Sequence, residues 1–553
     1  MKRNIKKVAV IGSGIMGSGI ACHFANIGVE VFLLDIAPNE LTEAEQKKGL
    51  TLDNKMVRNR LVNDHLANAL KSKPSPIYHP SFASRITTGN TTDDMSKIAT
   101  ADWIIEVVVE RLDIKKIVFE QVDKYRKPGT LVTSNTSGIP IQFMSEGRSD
   151  DFQQHFCGTH FFNPARYLKL FEIIPGPKTS QEVLDFLNGY GEKFLGKTSV
   201  VAKDTPAFIG NRIGIFGIQS LFHQVKEMGL TVEEVDKLTG PVIGRQKSAT
   251  FRTVDVVGLD TLVHVANGIY ENCPNDEAHE LFKLPEFVNK MMENKWLGSK
   301  SGQGFYKKEG KDILTLDLDT LEYRANKKAS FATLELTKAI EKPIDRFKVL
   351  VTGKDKAGDF YRKNFASMFQ YCSNRIPEIT DAFYKIDDAM KAGFGWENGP
   401  FEIWDAIGVE KGIELMKAEG FQPASWVTDM LASGNTSFYS VKDGATHFYS
   451  ITNKKVEKIP GQDAFIILNN IRESKKIWNN SDSIITDLGD GIINLEFTSK
   501  MNSIGAGVLQ GINKAIDMAE KDYNGLVIGN QGANFSVGAN LGMIFMMAVE
   551  QEY

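Results

Sequence analysis

Short, continuous apolar runs alternate with stretches of helical period over the first two hundred residues. Runs of this length, rich in valine and isoleucine, are typical of parallel strands that helices cover on both faces. We therefore predict a doubly wound α/β domain over residues 1–203. The clearest predicted strands lie at 7–11, 29–34, 103–109 and 130–133, and shorter strand signals end at His160 and span 170–174.

The apolar period becomes helical after Pro206 and stays mainly helical to about residue 300. The pattern F-x-x-x-D-x-x-G occurs twice, over 251–258 and over 401–408. Self-similarity of this kind indicates a duplicated structural unit, with a chance match as the alternative. The predicted regions are a first helical domain at 204–310, a charged linker at 311–345 and a second helical domain at 346–455.

Residues 462–553 follow a third pattern. Two runs of period two, at 484–488 and 492–497, meet at Asp490-Gly491, a pair that favours a tight hairpin turn. We expect a small α/β segment here. The elements predicted after the hairpin are a helix near 507–520 and a strand at 526–528.

Composition excludes several classes of protein. The net charge of −4, from 65 basic and 69 acidic residues, gives no sign of a surface that binds nucleic acid. The four cysteines stand far apart without C-x-x-C spacing, which disfavours a structural zinc site and favours a reducing, cytoplasmic location. No apolar run reaches the ~18 residues that an integral membrane span requires. We predict a protein that holds no metal.

A glycine-rich turn links the first predicted strand to a helix. Glycines at the first, third and sixth positions let a backbone turn sharply and approach a pyrophosphate, which then lies at the positive end of the helix. Asp35 ends the next strand, where a carboxylate can hold the ribose hydroxyls and would repel a 2′-phosphate. This pattern predicts NAD as cofactor. The predicted contacts are Gly12, Gly14, Ile15, Met16, Gly17 and Asp35.

His160 and Glu172 are the candidate reacting pair. Oxidation of a secondary alcohol needs a base for the hydroxyl proton, and an imidazole is suited because its pKa lies near working pH. The two residues fall in successive predicted strands, so the carboxylate can reach the ring nitrogen that faces away from substrate and fix the tautomer. A buried pair with a purely structural role is the open alternative.

Four motifs in order resemble the signature of the L-3-hydroxyacyl-CoA dehydrogenases: residues 11–17, Ser134-Asn135-Thr136-Ser137, His160-Phe161-Phe162-Asn163-Pro164, and 204–212. The resemblance implies NAD-dependent oxidation of L-3-hydroxyacyl-CoA to 3-oxoacyl-CoA in fatty-acid β-oxidation. It implies His160 as base and Glu172 as its partner. The further roles it implies are hydrogen bonds to the substrate oxygen from Ser137 and Asn211, Glu110 beside the nicotinamide, and Lys115 near the cofactor.

The remainder of the chain resembles the multifunctional β-oxidation proteins. The resemblance implies a Rossmann-type sheet, two all-helical dehydrogenase domains and a partial α/β crotonase-like segment. Residues 534–541 look like the crotonase loop, with the backbone N–H of Val537 as the donor to a thioester oxygen; Asn540 stands where that motif commonly has Asp. A crotonase domain continues beyond this point, so we expect a truncated segment without hydratase activity.

The resemblance also implies partners and leaves two alternatives. Acyl-CoA is the expected substrate, and a thiolase partner and a homodimer follow from the family. Lys55, Arg58 and Arg60 are candidate contacts for the acidic CoA, with a solvated helix face as the competing reading. The alternative functions are a dehydrogenase of a free 3-hydroxy acid and a non-catalytic subunit that binds NAD or acyl-CoA.

Overall fold

The computed structural model describes residues 3–462, 465–532 and 534–550, so the chain end at Tyr553 lies outside the described residues. The chain divides into two compact units, Met1–Thr436 and Ser437–Tyr553. Among the described residues no helix is both long and apolar enough to cross a membrane.

The first unit begins with eight strands that form one sheet. They are β1 (Lys7–Ile11), β2 (Glu30–Asp35), β3 (Ile86–Asn90), β4 (Trp103–Glu106), β5 (Leu131–Ser134), β6 (Phe156–Phe161), β7 (Leu170–Pro175) and β8 (Thr198–Val201). The strand order is β3-β2-β1-β4-β5-β6-β7-β8, and all neighbours are parallel except β6 and β7. This confirms the predicted Rossmann-like sheet.

Helices connect these strands and cover the sheet. They are α1 (Ile15–Asn26), α2 (Glu43–Lys47), α3 (Lys55–Arg58), α4 (Arg60–Lys71), α5 (Leu112–Tyr125), α6 (Ile141–Ser145), α7 (Asp150–Gln154) and α8 (Gln181–Lys193). Strands β4 and β5 are buried along their whole length, because helices pack on both faces. Trp103 on β4 packs edge-to-face against Phe24 of α1 and Tyr190 of α8, with ring centroids 5.3 and 5.9 Å away.

The predicted strand at 103–109 is wrong in its last three residues, since β4 ends at Glu106. The backbone N–H of Val108 donates to the side chain of Glu106 at 2.6 Å instead of to a neighbouring strand. Val109 is 64% exposed. The apolar run therefore continues into a loop, which passes over the glycine-rich turn after β1.

Twelve helices and a small antiparallel sheet complete the described part of the first unit. The helices are α9 (Gly210–Glu227), α10 (Val232–Leu238), α11 (Phe251–Val257), α12 (Leu259–Asn272), α13 (Glu286–Glu293), α14 (Ala332–Leu336), α15 (Pro343–Thr352), α16 (Lys356–Asn374), α17 (Tyr384–Phe394), α18 (Pro400–Ile407), α19 (Val409–Ala418) and α20 (Ser425–Ala432). The strands are β9 (Tyr306–Glu309), β10 (Asp312–Leu316) and β11 (Tyr323–Ala325). Helix α17 packs against α9, β7 and β8.

The two copies of the F-x-x-x-D-x-x-G pattern adopt the same local geometry. Gly258 has φ 106° and ψ 125°, and Gly408 has φ 105° and ψ 130°; each lies between two helices, in a conformation that a residue with a Cβ rarely adopts. Asp236 and Asp387 accept hydrogen bonds from the backbone N–H of the phenylalanine in the first turn of α11 and α18, at 2.7 and 2.9 Å. These matches support a duplicated unit.

The segment at 311–345, expected to be a linker, contains β10, β11 and α14. Arg324 on β11 forms an ion pair with Glu233 of α10 at 2.6 Å, which ties the segment to the first helical region. The charged residues of this segment therefore include some that form ion pairs with the packed helices as well as some that face solvent.

Over its described residues, the second unit contains two small sheets and three α-helices. Its elements are β12 (Tyr439–Lys442), β13 (Ala445–Ser450), β14 (Lys455–Lys458), α21 (Leu468–Lys475), β15 (Lys476–Asn479), β16 (Ser483–Gly489), β17 (Ile492–Phe497), α22 (Ala506–Asp522), β18 (Gly525–Ile528) and α23 (Leu541–Val549). Strands β16 and β17 form the hairpin expected at Asp490-Gly491, which take φ 55° and 75° as a tight turn requires. Strand β18 pairs parallel to β17 after α22.

Candidate active site

His160 on β6 and Glu172 on β7 lie directly opposite each other in the antiparallel register. The His160 Nδ1 atom is 2.7 Å from Glu172 Oε2. The histidine is 6% exposed and the glutamate is completely buried. Because a carboxylate only accepts hydrogen bonds, Nδ1 carries the proton, and Nε2 of the neutral ring is left as an acceptor.

The second oxygen of Glu172 is held by the start of α9. Glu172 Oε1 accepts hydrogen bonds from the backbone N–H groups of Ile209 at 3.0 Å and Gly210 at 2.8 Å. The first N–H groups of a helix lack partners within the helix and carry partial positive charge, so they stabilise a carboxylate. A Cβ at Gly210 would lie 2.8 Å from the Phe162 ring. The sequence analysis missed this contact, although the motif at 204–212 marks the place.

Aromatic rings flank the imidazole. The ring centroid of His160 lies 4.6 Å from that of Phe162 and 5.8 Å from that of Phe208. Within the described part of the chain, the Nε2 atom of His160 makes no hydrogen bond to another residue. The geometry thus presents one free basic nitrogen, in an orientation fixed by packing and by Glu172.

Glu110 accepts several hydrogen bonds from the loop after β5. Its Oε1 atom accepts from the Thr136 hydroxyl at 2.6 Å, and from the backbone N–H and hydroxyl of Ser137 at 2.9 and 3.2 Å. Burial opposes the ionisation of Glu110, but the charge of Lys115 and these hydrogen bonds outweigh it and hold its pKa below the usual value. Ser137 is half-buried and its side chain is oriented by the glutamate.

Lys115 is buried beneath this loop, with 1% of its surface exposed. Its Nζ atom is 2.8 Å from Glu106 Oε1 and 3.3 Å from Glu110 Oε2. Glu106 also accepts from the Ser134 hydroxyl at 2.5 Å. Burial raises the pKa of Glu106, although Lys115 acts in the opposite direction. Lys115 therefore supports Glu110 and presents no free amine, and Glu106 is a buried member of the network that the sequence analysis missed.

Asn211 follows Gly210 in the first turn of α9. Its side chain is half-buried and, over the residues that the structure describes, makes no hydrogen bond. The backbone N–H of Gly210, the residue before Asn211, donates to Glu172. Asn211 therefore directly follows the residue that contacts the His160–Glu172 pair. It is available to donate a hydrogen bond to a ligand.

The glycine-rich turn fits a bound dinucleotide. Gly12 has φ 103°, and a Cβ there would lie 2.4 Å from the carbonyl oxygen of Val107. A Cβ at Gly17 would lie 1.8 Å from the carbonyl oxygen of Gly12. By contrast, a Cβ at Gly14 would meet nothing within 4 Å. Two glycines are thus required by packing, and Gly14 keeps open the space at the start of α1 that a pyrophosphate needs.

Asp35 stands at the end of β2 beside this turn. Its Oδ2 atom accepts from the backbone N–H of Ser13 at 2.8 Å and from the Ser13 hydroxyl, and its Oδ1 atom accepts from the N–H of Ile36 at 2.7 Å. His65 Nδ1 lies 3.6 Å from Oδ2. The carboxylate therefore lies beside the glycine-rich turn, at the end of the strand where the sequence pattern predicts the ribose contact. Ile15 is exposed and Met16 is half-buried in the first turn of α1.

Gly14→Ala is expected to weaken NADH binding without lowering the thermal stability of the free protein. The added methyl group meets no protein atom within 4 Å but occupies the approach of the pyrophosphate. Overpacking costs about 1–3 kcal/mol, so the Kd for NADH should rise about tenfold. Gly19→Ala, within α1 and with only ordinary contact at 3.8 Å, is the matched control. A fluorescence titration in which both variants bind NADH as the unmodified protein does would contradict the assignment.

Two of the three candidate CoA contacts already have partners. Arg58 forms a two-pronged ion pair with Asp93 at 2.6 and 2.7 Å, and Arg60 pairs with Glu45. Only Lys55 is exposed without a partner among the described residues. The charges of the two arginines are therefore already balanced by acids, and among the described residues Lys55 is the candidate of the three that stays available to CoA.

Val537 belongs to the second unit, in the exposed loop before α23. Across the described ranges its backbone N–H has no hydrogen-bond partner. Asn540 caps α23 by accepting a hydrogen bond from the Met543 N–H at 3.2 Å. The four cysteines are buried and unpaired, and the described residues contain no cluster of His, Cys, Asp or Glu able to hold a metal ion.

Two family descriptions match most of the first 308 residues. The NAD binding domain of 3-hydroxyacyl-CoA dehydrogenase matches residues 7–205, and the C-terminal domain of 3-hydroxyacyl-CoA dehydrogenase matches residues 208–308. The boundary between the two matches falls just before α9.

Similar proteins extend over the whole chain. A probable 3-hydroxyacyl-CoA dehydrogenase of Bacillus subtilis (strain 168) is 49% identical over 554 residues, which cover 100% of this chain and 70% of that protein. A putative fatty acid oxidation complex trifunctional enzyme of Rickettsia felis is 30% identical over 549 residues, which cover 98% of this chain and 70% of that protein. The structure of 3-hydroxybutyryl-CoA dehydrogenase from Escherichia coli K12 matches with a TM-score of 0.54 at 22% identity, covers 78% of this chain and 99% of that one, and shows the shared fold.

Proposed function

The chain belongs to the 3-hydroxyacyl-CoA dehydrogenase family, and we propose that it oxidises L-3-hydroxyacyl-CoA to 3-oxoacyl-CoA. Family membership makes it an oxidoreductase that uses NAD, with relatives in fatty-acid oxidation. The observation that carries the proposal is the 2.7 Å contact between His160 Nδ1 and Glu172 Oε2, which leaves Nε2 as the free base.

In this proposal His160 Nε2 takes the proton of the 3-hydroxyl group. A bound NAD would supply the acceptor for the hydride of the substrate carbon. Glu172 keeps the Nδ1 proton in place and stabilises the imidazolium that forms, since its second oxygen is already satisfied by α9. Ser137 and Asn211 orient the substrate oxygen through hydrogen bonds. Glu110, fixed by Lys115 at 3.3 Å, orients Ser137 next to the cofactor.

The test compares two substrates with NAD, L-3-hydroxybutyryl-CoA and free 3-hydroxybutyrate. The proposal predicts NADH formation with the thioester and little with the free acid. The reverse preference would favour a dehydrogenase of free hydroxy acids. NADH binding without turnover of either substrate would favour a non-catalytic subunit.

Asp35→Ala is expected to raise the Kd for NADH about tenfold or more, because a charge-assisted hydrogen bond contributes about 1.5–3 kcal/mol. It should also lower the ratio of the Kd for NADPH to the Kd for NADH, because the carboxylate that repels the 2′-phosphate is removed. The change also removes the acceptor of the Ser13 N–H. Asp64→Ala removes the same charge from an exposed neighbouring position and serves as control. Titrations with NADH and NADPH check the result. An unchanged ratio of the two Kd values would overturn the role of Asp35.

We also propose domain limits of 1–203, 204–310, 346–455 and 462–553, with the last of these regions crotonase-like. The free N–H of Val537 supports this reading. An oxyanion hole needs two converging donors and hydration also needs acid–base groups. The Val537 N–H is the single donor that we identify among the described residues of this region, and we therefore propose that the region has no hydratase activity. Crotonyl-CoA hydration, assayed in parallel with the dehydrogenase, tests this.

A thiolase partner, a homodimer and a cytoplasmic location are also part of the proposal. The location is proposed because all four cysteines are free thiols.

A further inference from the structure

Arg245 carries a charge that no acidic residue balances in the part of the chain that the structure describes. It lies in the first helical region, half-buried, with its guanidinium carbon 3.7 Å above the centre of the Trp396 ring. Among the described residues no carboxylate forms an ion pair with it. By contrast, Arg212 of the first helical region and Arg375 of the second both bind Asp276, at 2.6 and 3.1 Å. A half-buried charge without a partner is only partly solvated, and an anion from outside the chain would supply the balance.

Two turns that contact each other carry Arg245 and Trp396. The backbone N–H of Glu397 donates to the carbonyl of Gly244 at 2.8 Å. A Cβ at Gly395 would lie 2.5 Å from the side-chain amide of Gln246. One turn comes from each helical region, so the guanidinium is stacked on an indole that the other region provides. Stacking leaves the donor edge of a guanidinium open to a planar or tetrahedral anion.

The turn at Gly395 is also close to the aromatic rings that pack around His160. Phe394 immediately precedes Gly395, and its ring fills the space over Gly214, where a Cβ would lie 2.0 Å from it. The ring centroid of Phe394 is 6.2 Å from that of Phe162, which in turn is 4.6 Å from that of His160. Ring contacts therefore lead from His160 through Phe162 to Phe394, which lies two residues before Trp396 in the chain.

We propose that Arg245, stacked on Trp396, binds a phosphate group of the CoA part of the substrate. This inference rests on the proposed function. It supplies a local basic site of the kind that an acidic thioester needs, whereas Arg58 and Arg60 in the sheet domain are already paired with acids. Lys247, exposed two residues away and without an ion-pair partner among the described residues, adds positive potential. Glu397 is the nearest acid on the facing turn, and its carboxylate forms no ion pair with Arg245. Burial also lowers the pKa of Arg245, as expected for a cation without a counter-charge.

The test compares acetoacetyl-CoA with acetoacetyl-pantetheine, which lacks the phosphates. Arg245→Gln should raise the KM for acetoacetyl-CoA about tenfold, as the loss of a charge-assisted hydrogen bond implies, and should change the KM for the pantetheine thioester less than about twofold. Arg252→Gln removes a charge from the same segment and should leave both values unchanged. A parallel rise with both substrates, or no rise, would overturn the inference.

A calorimetric titration with free CoA decides the matter independently of turnover. Arg245→Gln should weaken CoA binding and leave the Kd for NADH unchanged, whereas Arg245→Lys should restore part of the affinity for CoA. If Arg245→Gln weakened NADH binding and left CoA binding normal, the inference would be overturned, and Arg245 would be assigned to the pyrophosphate of the cofactor. If the unmodified protein reduces neither thioester, the proposed function fails, and CoA binding that is insensitive to Arg245→Gln would still refute this site. Should the Gln variant be unstable, the Lys variant is compared on the same pair of thioesters.

Discussion

His160→Gln is expected to lower kcat for L-3-hydroxybutyryl-CoA oxidation about a thousand-fold, within the range that a general base contributes. Gln is close to His in size and can still donate to Glu172, so the antiparallel pair of β6 and β7 should persist. What is lost is the free basic nitrogen at the position of Nε2. The affinity for NADH should be nearly unchanged, because the glycine-rich turn lies on β1 and α1, away from β6.

The measurement is steady-state kinetics together with an NADH titration on the same preparation. His79→Gln, which alters an exposed histidine bonded to Ser81, is the control and should retain full activity. Unaltered turnover in the His160 variant would refute its assignment as the base. Loss of NADH affinity together with turnover would indicate general damage to the fold.

Glu172→Gln is expected to reduce kcat by a similar factor, about a thousand-fold, by changing the tautomer of the histidine. A carboxylate accepts hydrogen bonds at both oxygens, and here one oxygen faces two backbone N–H groups of α9 and the other faces His160 Nδ1. Gln has one accepting oxygen, which α9 would hold. Its NH2 group would then face Nδ1 and force the ring proton onto Nε2, where the base must be free.

The pH profile separates this effect from a structural one. If Glu172 fixes the tautomer, the variant should stay folded by circular dichroism and bind NADH, and the remaining kcat should depend on pH differently from that of the unmodified protein. Glu172→Asp keeps the charge and should recover part of the activity. A variant whose only defect is a lower melting temperature would instead support the structural reading of the pair.

Local pattern was sufficient for the sheet and for part of the site. The apolar runs located β1, β2 and β5, and the alternation around Asp490-Gly491 located a hairpin, because both signals depend on neighbouring residues. His160 and Glu172 were placed in successive strands on the same ground. The run at 103–109 misled because apolar residues also line the loop over Gly12, where burial does not require a strand.

Long-range contacts could not be read from the sequence. The hydrogen bonds from the start of α9 to Glu172 join groups 37 and 38 residues apart through backbone atoms, which carry no sequence signal of their own. The buried Lys115–Glu106 pair and the stacking of Arg245 on Trp396 likewise depend on how helices and turns pack. The segment at 311–345 resembled a linker because its charged residues, such as Arg324, find their partners on distant helices.

The central claim is tested most directly by mixing the purified protein with NADH and acetoacetyl-CoA and following the loss of nicotinamide absorbance. The account predicts that NADH is consumed and that L-3-hydroxybutyryl-CoA appears in equal amount. No consumption of NADH, in a preparation shown by titration to bind NADH, would contradict it.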